Sequence, residues 1–106
     1  MEVEEIKSGE ELERTKQKGV ALIDFGAPWC APCRLQEPIM RRLAAQFDGR
    51  ASFAAVNIDE NREAAINLGI RGVPTLILFR NGKEVLRFVG LQSEAALSDA
   101  LDKLIH

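Results

Sequence analysis

The chain is poor in the residues that build metal centres. Its 106 residues include two cysteines, Cys30 and Cys33, and one histidine, His106, at the last position. A structural zinc site takes four ligands, so these three do not close one within a single chain. A metal or iron–sulfur cluster shared between two chains stays open. His106 itself reads as an exposed terminal residue without a role. An excess of either charge is also missing. The 14 Lys and Arg stand against 16 Asp and Glu, for a net charge of −2, and Arg41-Arg42 is the one adjacent basic pair. Nothing there marks a nucleic-acid surface. Apolar runs are too short to span a bilayer. The acidic start, Met1 to Lys7, lacks the apolar stretch of a signal peptide. The expected compartment is therefore the cytoplasm, away from any membrane, where thiols are kept reduced. A close cysteine pair there reads as catalytic or metal-binding before it reads as a staple. Linkers, repeats and low-complexity segments are absent as well, so residues 1–106 read as one domain, long enough to bury a core.

What is present is a regular alternation of elements. Val3 to Ile6 suits a short edge strand. Ser8 with Glu11 forms a capping-box pattern, opening a polar helix anchored by Leu12 and stopped at Gly19. Val20 to Phe25 is an apolar run of strand length, expected to be buried on both faces. After the loop Gly26 to Trp29, the residues Leu35, Ile39, Met40, Leu43, Ala44 and Phe47 recur at helical spacing, with Arg34, Glu37, Arg41 and Arg42 mainly opposite. Pro38 is expected to kink that helix. Ser52 to Ile58 reads as a second inner strand, and Asn61 as the cap of a short helix ending at Gly69. Thr75 to Phe79, the turn Asn81-Gly82 and Lys83 to Val89 read as a hairpin. Ser93 caps a last helix with a core stripe of Leu97, Ala100, Leu101 and Leu104. The order suggests one mixed sheet, parallel in its first half, with helices on both faces: an α/β fold.

The segment Trp29-Cys30-Ala31-Pro32-Cys33 lies where a buried strand gives way to a helix. Helix starts carry partial positive charge and spare N–H groups, which favour a thiolate. Two thiols at this spacing can close a small ring with each other. Cys30, coming first, suits an exposed thiolate that attacks a target disulfide. Cys33, one turn inside and covered, suits the thiol that resolves the mixed disulfide. The alternative is a pair of buried cysteines acting as small hydrophobes.

Asp24 interrupts an apolar strand, and a buried charge there is costly. It either faces solvent near a strand end or is a buried acid with a raised pKa that moves protons for Cys33. Its apolar neighbours Leu22, Ile23 and Phe25 favour the second. Trp29, at a loop tip, reads as a surface ring beside the thiols. The Val73-Pro74 bond, judged without context, is expected to be trans.

Taken together, Asp24-Phe25, Trp29 to Cys33, Pro38, Asn57 to Asp59, Gly69 to Thr75, Asn81-Gly82 and Gly90 make the chain resemble the thioredoxin family over essentially its whole length. The resemblance implies a central five-stranded sheet in the order 1-3-2-4-5 with four helices. It implies Cys30 as nucleophile, Cys33 as resolving thiol and Asp24 as buried acid. It also implies a cis Pro74 against the active-site disulfide, which reverses the expectation above. Val73 would offer backbone hydrogen bonds to an extended substrate, and Trp29, Gly72, Val73, Gly90 and Leu91 would form an apolar docking surface. The implied activity is reduction of disulfide-containing proteins by a monomer. A flavin-dependent, NADPH-using thioredoxin reductase would re-reduce it. The chain would bind no cofactor and no metal, its redox group being the Cys30–Cys33 disulfide.

Three positions depart from the family pattern. Ala31 stands for the usual Gly and stiffens the loop. Gly26 stands where a second Trp is common. Ala55 replaces a Lys near the buried acid, without which Asp24 is harder to ionise. Other readings of the cysteine pair are an oxidase or isomerase, a docking module without turnover, and a cluster carrier in a dimer.

Overall fold

The sheet is built around the apolar run Val20–Gly26. A computed structural model describes residues 2–105, so the reading of His106 falls outside the described residues. In chain order the elements are β1 (Glu4–Ile6), α1 (Gly9–Lys16), β2 (Val20–Gly26), α2 (Ala31–Gln46), β3 (Ser52–Asn57), α3 (Arg62–Asn67), β4 (Thr75–Arg80), β5 (Lys83–Val89) and α4 (Glu94–Ile105). The five strands pair in the order β1-β3-β2-β4-β5. β3 runs parallel to both β1 and β2, while β4 runs antiparallel to β2 and to β5. The central β2 thus has a partner on each edge and helices on each face, and Ala21 to Phe25 are all buried.

Side chains alternate across a strand, and that alternation sorts the core into two layers. Leu22, Phe53, Leu76 and Leu78 pack under Met40, Leu43, Ala44 and Phe47 of α2 and under Leu97 and Leu101 of α4. Ala21, Ile23, Phe25, Ala54, Val56, Ile77 and Phe79 form the opposite layer with Ile6 and with Leu12 of α1. Each fully buried Leu or Phe contributes about 2–3 kcal/mol of transfer free energy. Asp24 shares the parity of Leu22, so its carboxyl is directed to the α2 side of the sheet.

Local signals place the element ends. The Glu11 N–H donates to Ser8 Oγ at 3.2 Å, and the Lys7 N–H donates to Glu11 Oε1 at 2.8 Å. The Ala96 N–H donates to Ser93 Oγ at 3.1 Å. Asn81 and Gly82 adopt φ of 52° and 88°, the pair of positive values that a two-residue hairpin turn between Arg80 and Lys83 demands.

Two expectations change. Asn61 makes no side-chain cap bond to α3; its amide instead donates to the Asn57 carbonyl at 3.0 Å, tying the helix start back to β3. Leu35, counted with the apolar face of α2, is 60% exposed, and its neighbour Gln36 is fully buried in its place.

Candidate active site

The end of β2 and the start of α2 bring the sequence-selected residues together. Cys30 is the N-cap of α2, with extended φ and ψ of −97° and 112°. Ala31 and Pro32 form the first turn, where a proline displaces no intrahelical donor. Cys30 and Cys33 are joined as a disulfide, with Cα atoms 5.2 Å apart. The Cys33 N–H points at Cys30 Sγ from 3.2 Å. This is the contact that a helix start offers to an anion, here aimed at the first sulfur.

The expected contrast in exposure between the two cysteines is absent. Cys30 is 5% and Cys33 7% exposed. Ala27 is buried in one cluster with both, and Ile58 and Val73 pack against that cluster. The sulfurs differ in their neighbours instead. Cys30 Sγ lies 3.7 Å from the Val73 carbonyl oxygen. The Val73-Pro74 bond is cis, as the family resemblance implied and the unassisted reading did not. Contacts with the rest of the fold select the isomer, and no local signal in Val73-Pro74 carries that information.

Cys33 faces a cavity of about 330 Å³ lined by Asp24, Gly26, Glu37 and Ala55 among others. The missing side chain of Gly26 measures the proximity. A Cβ built there meets Cys33 Sγ at 3.1 Å and Asp24 Oδ1 at 4.0 Å. Ala55 stands opposite Asp24 in the β2–β3 ladder, so the two small residues that depart from the family pattern line the same space. Asp24 is buried, and its Oδ1 has no hydrogen-bond partner among the described residues. Burial pushes its carboxyl up to about 7, and the negative charge of Glu37 adds to the effect. Glu37 is exposed, as the polar face of α2 leads one to expect, and its spacing of four from Cys33 brings its charge to the rim of this cavity.

On the other side of the disulfide the surface is open. Trp29 is 66% exposed, and its Nε1–H donates to Asp59 Oδ2 at 2.9 Å, which holds the ring at the loop tip. In the sequence Asp59 stands only within the Asn57 to Asp59 motif; the fold brings it to Trp29. The Gly90 N–H donates to the Pro74 carbonyl at 2.7 Å. A Cβ on Gly72 would touch Val89 Cγ1 at 3.6 Å. Gly72, Val73, Gly90 and the exposed Leu91 thus belong to linked segments beside Cys30.

Comparison with known proteins agrees with this geometry. The thioredoxin family model matches residues 4–103. The chain belongs to the thioredoxin family. It is 40% identical over 87 residues to a thioredoxin of Staphylococcus haemolyticus, covering 82% of this chain and 84% of that one. A thioredoxin of Staphylococcus aureus is 39% identical over the same span. Among solved structures, a mutant thioredoxin from Halobacterium salinarum superposes with a TM-score of 0.93 at 40% identity, covering 99% of this chain and 92% of that one. The thioredoxin of Malassezia sympodialis gives 0.86 at 28% identity, covering 99% and 92%. The family and the disulfide at the helix start make the protein a thiol–disulfide oxidoreductase with a redox-active Cys30–Cys33 pair. Among the described residues, no helix is long and apolar enough to cross a membrane.

Proposed function

We propose that the protein reduces disulfides in other proteins, with Cys30 as nucleophile, Cys33 as resolving thiol and Asp24 as the proton acceptor for Cys33. The observation that carries this division is the Cys33 N–H aimed at Cys30 Sγ at 3.2 Å, while Cys33 shares its cavity with Asp24. The Cys30 thiolate attacks one sulfur of the target disulfide. A mixed disulfide forms, and the other target sulfur leaves as a thiolate and takes up a proton. Cys33 passes its proton to the Asp24 carboxylate and attacks Cys30 Sγ. The Cys30–Cys33 bond forms as the second target thiolate is released. Two electrons have moved from this chain to the target.

The cycle closes when a flavin-dependent thioredoxin reductase, drawing on NADPH, returns two electrons to the Cys30–Cys33 disulfide. Trp29, Gly72, Val73, Gly90 and Leu91 dock the substrate, with the Val73 backbone pairing to an extended peptide. The working form is a cytoplasmic monomer. The test is turnover of a disulfide-bonded protein such as insulin with dithiothreitol as electron source. Cys30→Ser abolishes turnover, whereas Cys33→Ser accumulates a mixed disulfide visible by mass. Retained activity in Cys30→Ser removes Cys30 from the mechanism.

A further inference from the structure

Gln36 is a polar side chain where the helical pattern calls for an apolar one. It is fully buried on α2, one turn past Cys33. Both ends of its amide are used, and both go to one residue. Gln36 Nε2 donates to the Gln92 carbonyl at 3.0 Å, and the Gln92 N–H donates to Gln36 Oε1 at 2.8 Å. This reproduces a backbone-to-backbone bridge with a side chain. The Gln92 side chain in turn donates to the Gly90 carbonyl at 3.2 Å, and the Gly90 N–H donates to the Pro74 carbonyl at 2.7 Å. The segment Gly90 to Gln92 is thus held from two directions. Pro74 fixes one end relative to the disulfide, and Gln36 fixes the other to the helix that carries Cys33. Between them Leu91 is displayed to solvent. Gly90, at φ 96°, is a position of wide backbone freedom. The paired bonds of the Gln36 amide tie the Gln92 end of this segment to α2.

We propose that Gln36 is a positioning residue: it holds the Gly90–Gln92 segment in the shape that receives protein substrates, and so sets their affinity without touching the reacting sulfurs. The proposal rests on the reading that Leu91 and its neighbours dock the substrate. Gln36→Met keeps the length and volume of the side chain and removes both hydrogen bonds. In it, KM for a disulfide-bonded protein rises about three- to tenfold while kcat holds within about twofold. The rate toward a small aromatic disulfide reagent and the redox equilibrium with glutathione stay unchanged, because neither needs the docking face. A merely structural role would lower the protein and small-reagent rates together. That result overturns the proposal.

Leu91→Asp separates the two levels. If it raises KM and Gln36→Met does not, the docking surface stands and the role of Gln36 falls. If neither variant changes KM, the docking reading fails and the proposal with it. Should Gln36→Met not fold, Gln36→Asn carries the same test: it stays polar but is one methylene too short to hold both bonds to Gln92, and it too raises KM for the protein substrate alone.

Discussion

The two sulfurs of the disulfide are almost equally covered, yet they face different worlds. Cys30 has a backbone carbonyl, a helix-start N–H and an open apolar surface around it. Cys33 has a cavity with a buried carboxyl at its wall and a second acid, Glu37, at its rim. On the proposed assignment, roles within a thiol pair follow from neighbours more than from depth. A thiolate is stabilised by N–H groups aimed at it, whereas a thiol that must lose its proton late needs a base within reach. The first need is met within one helical turn. The second depends on β2, β3 and α2 meeting, and on Gly26 and Ala55 being small enough to leave the space open.

Substitutions on each side sharpen or break this contrast. The largest effect is expected at Asp24, whose carboxyl rises from 3.8 to about 7 on folding. Between those values the folded protein holds a proton that the unfolded chain has lost. The associated stability is fully present below the lower value and disappears as pH climbs through the upper one. Relative to Asp24→Asn, wild type therefore loses about 2–3 kcal/mol between about pH 5 and about pH 8. Urea unfolding of the oxidised proteins at both pH values measures it. A constant difference between the two proteins removes the buried acid from the Cys33 side.

Next comes Gly26→Ala. Its new methyl would stand 3.1 Å from Cys33 Sγ, close enough that the sulfur or the strand end must shift. A loss of about 1 kcal/mol in thermal unfolding is expected, with the reaction of the reduced Cys30 thiol toward iodoacetamide unaltered. A changed Cys30 rate would show that the two sides are not independent. The smallest effect belongs to Trp29→Phe, which removes the hydrogen bond to Asp59 at an exposed site. About 0.5–1 kcal/mol is expected from melting curves, and KM for a protein substrate rises while the resolving step, followed by release of the mixed disulfide, keeps its rate.

The order of elements was readable because it depends on local chemistry. Ser8 and Ser93 cap helices with their own hydroxyls. Asn81-Gly82 accepts the positive φ values of a tight turn. The apolar run of β2 has no face to give to water. Asp24 was readable for the same reason: a carboxylate inside such a run is already an anomaly. Reading failed where partners lie far apart in sequence. Nothing local marks Gln36 as a buried residue, because its partner, Gln92, is 56 positions away. Leu35 was given the core position that Gln36 occupies, since periodicity weighs hydrophobicity and cannot see a hydrogen-bond partner. Asn61 is a different case: its competing partner is local, and the carbonyl of Asn57, four positions away, takes the amide that a cap would use.

The chain alone determined its alternation of strands and helices, the two thiols at a helix start and the acid among apolar neighbours. Each of these is a matter of residues within a few positions of one another, where spacing and side-chain chemistry suffice. Tertiary structure decided the cis bond before Pro74, the equal burial of both sulfurs, the cavity joining Asp24 to Cys33 and the clamp between Gln36 and Gln92. Those depend on which surfaces meet when distant segments pack, and the free energy that selects them belongs to the assembled contact, not to either segment by itself.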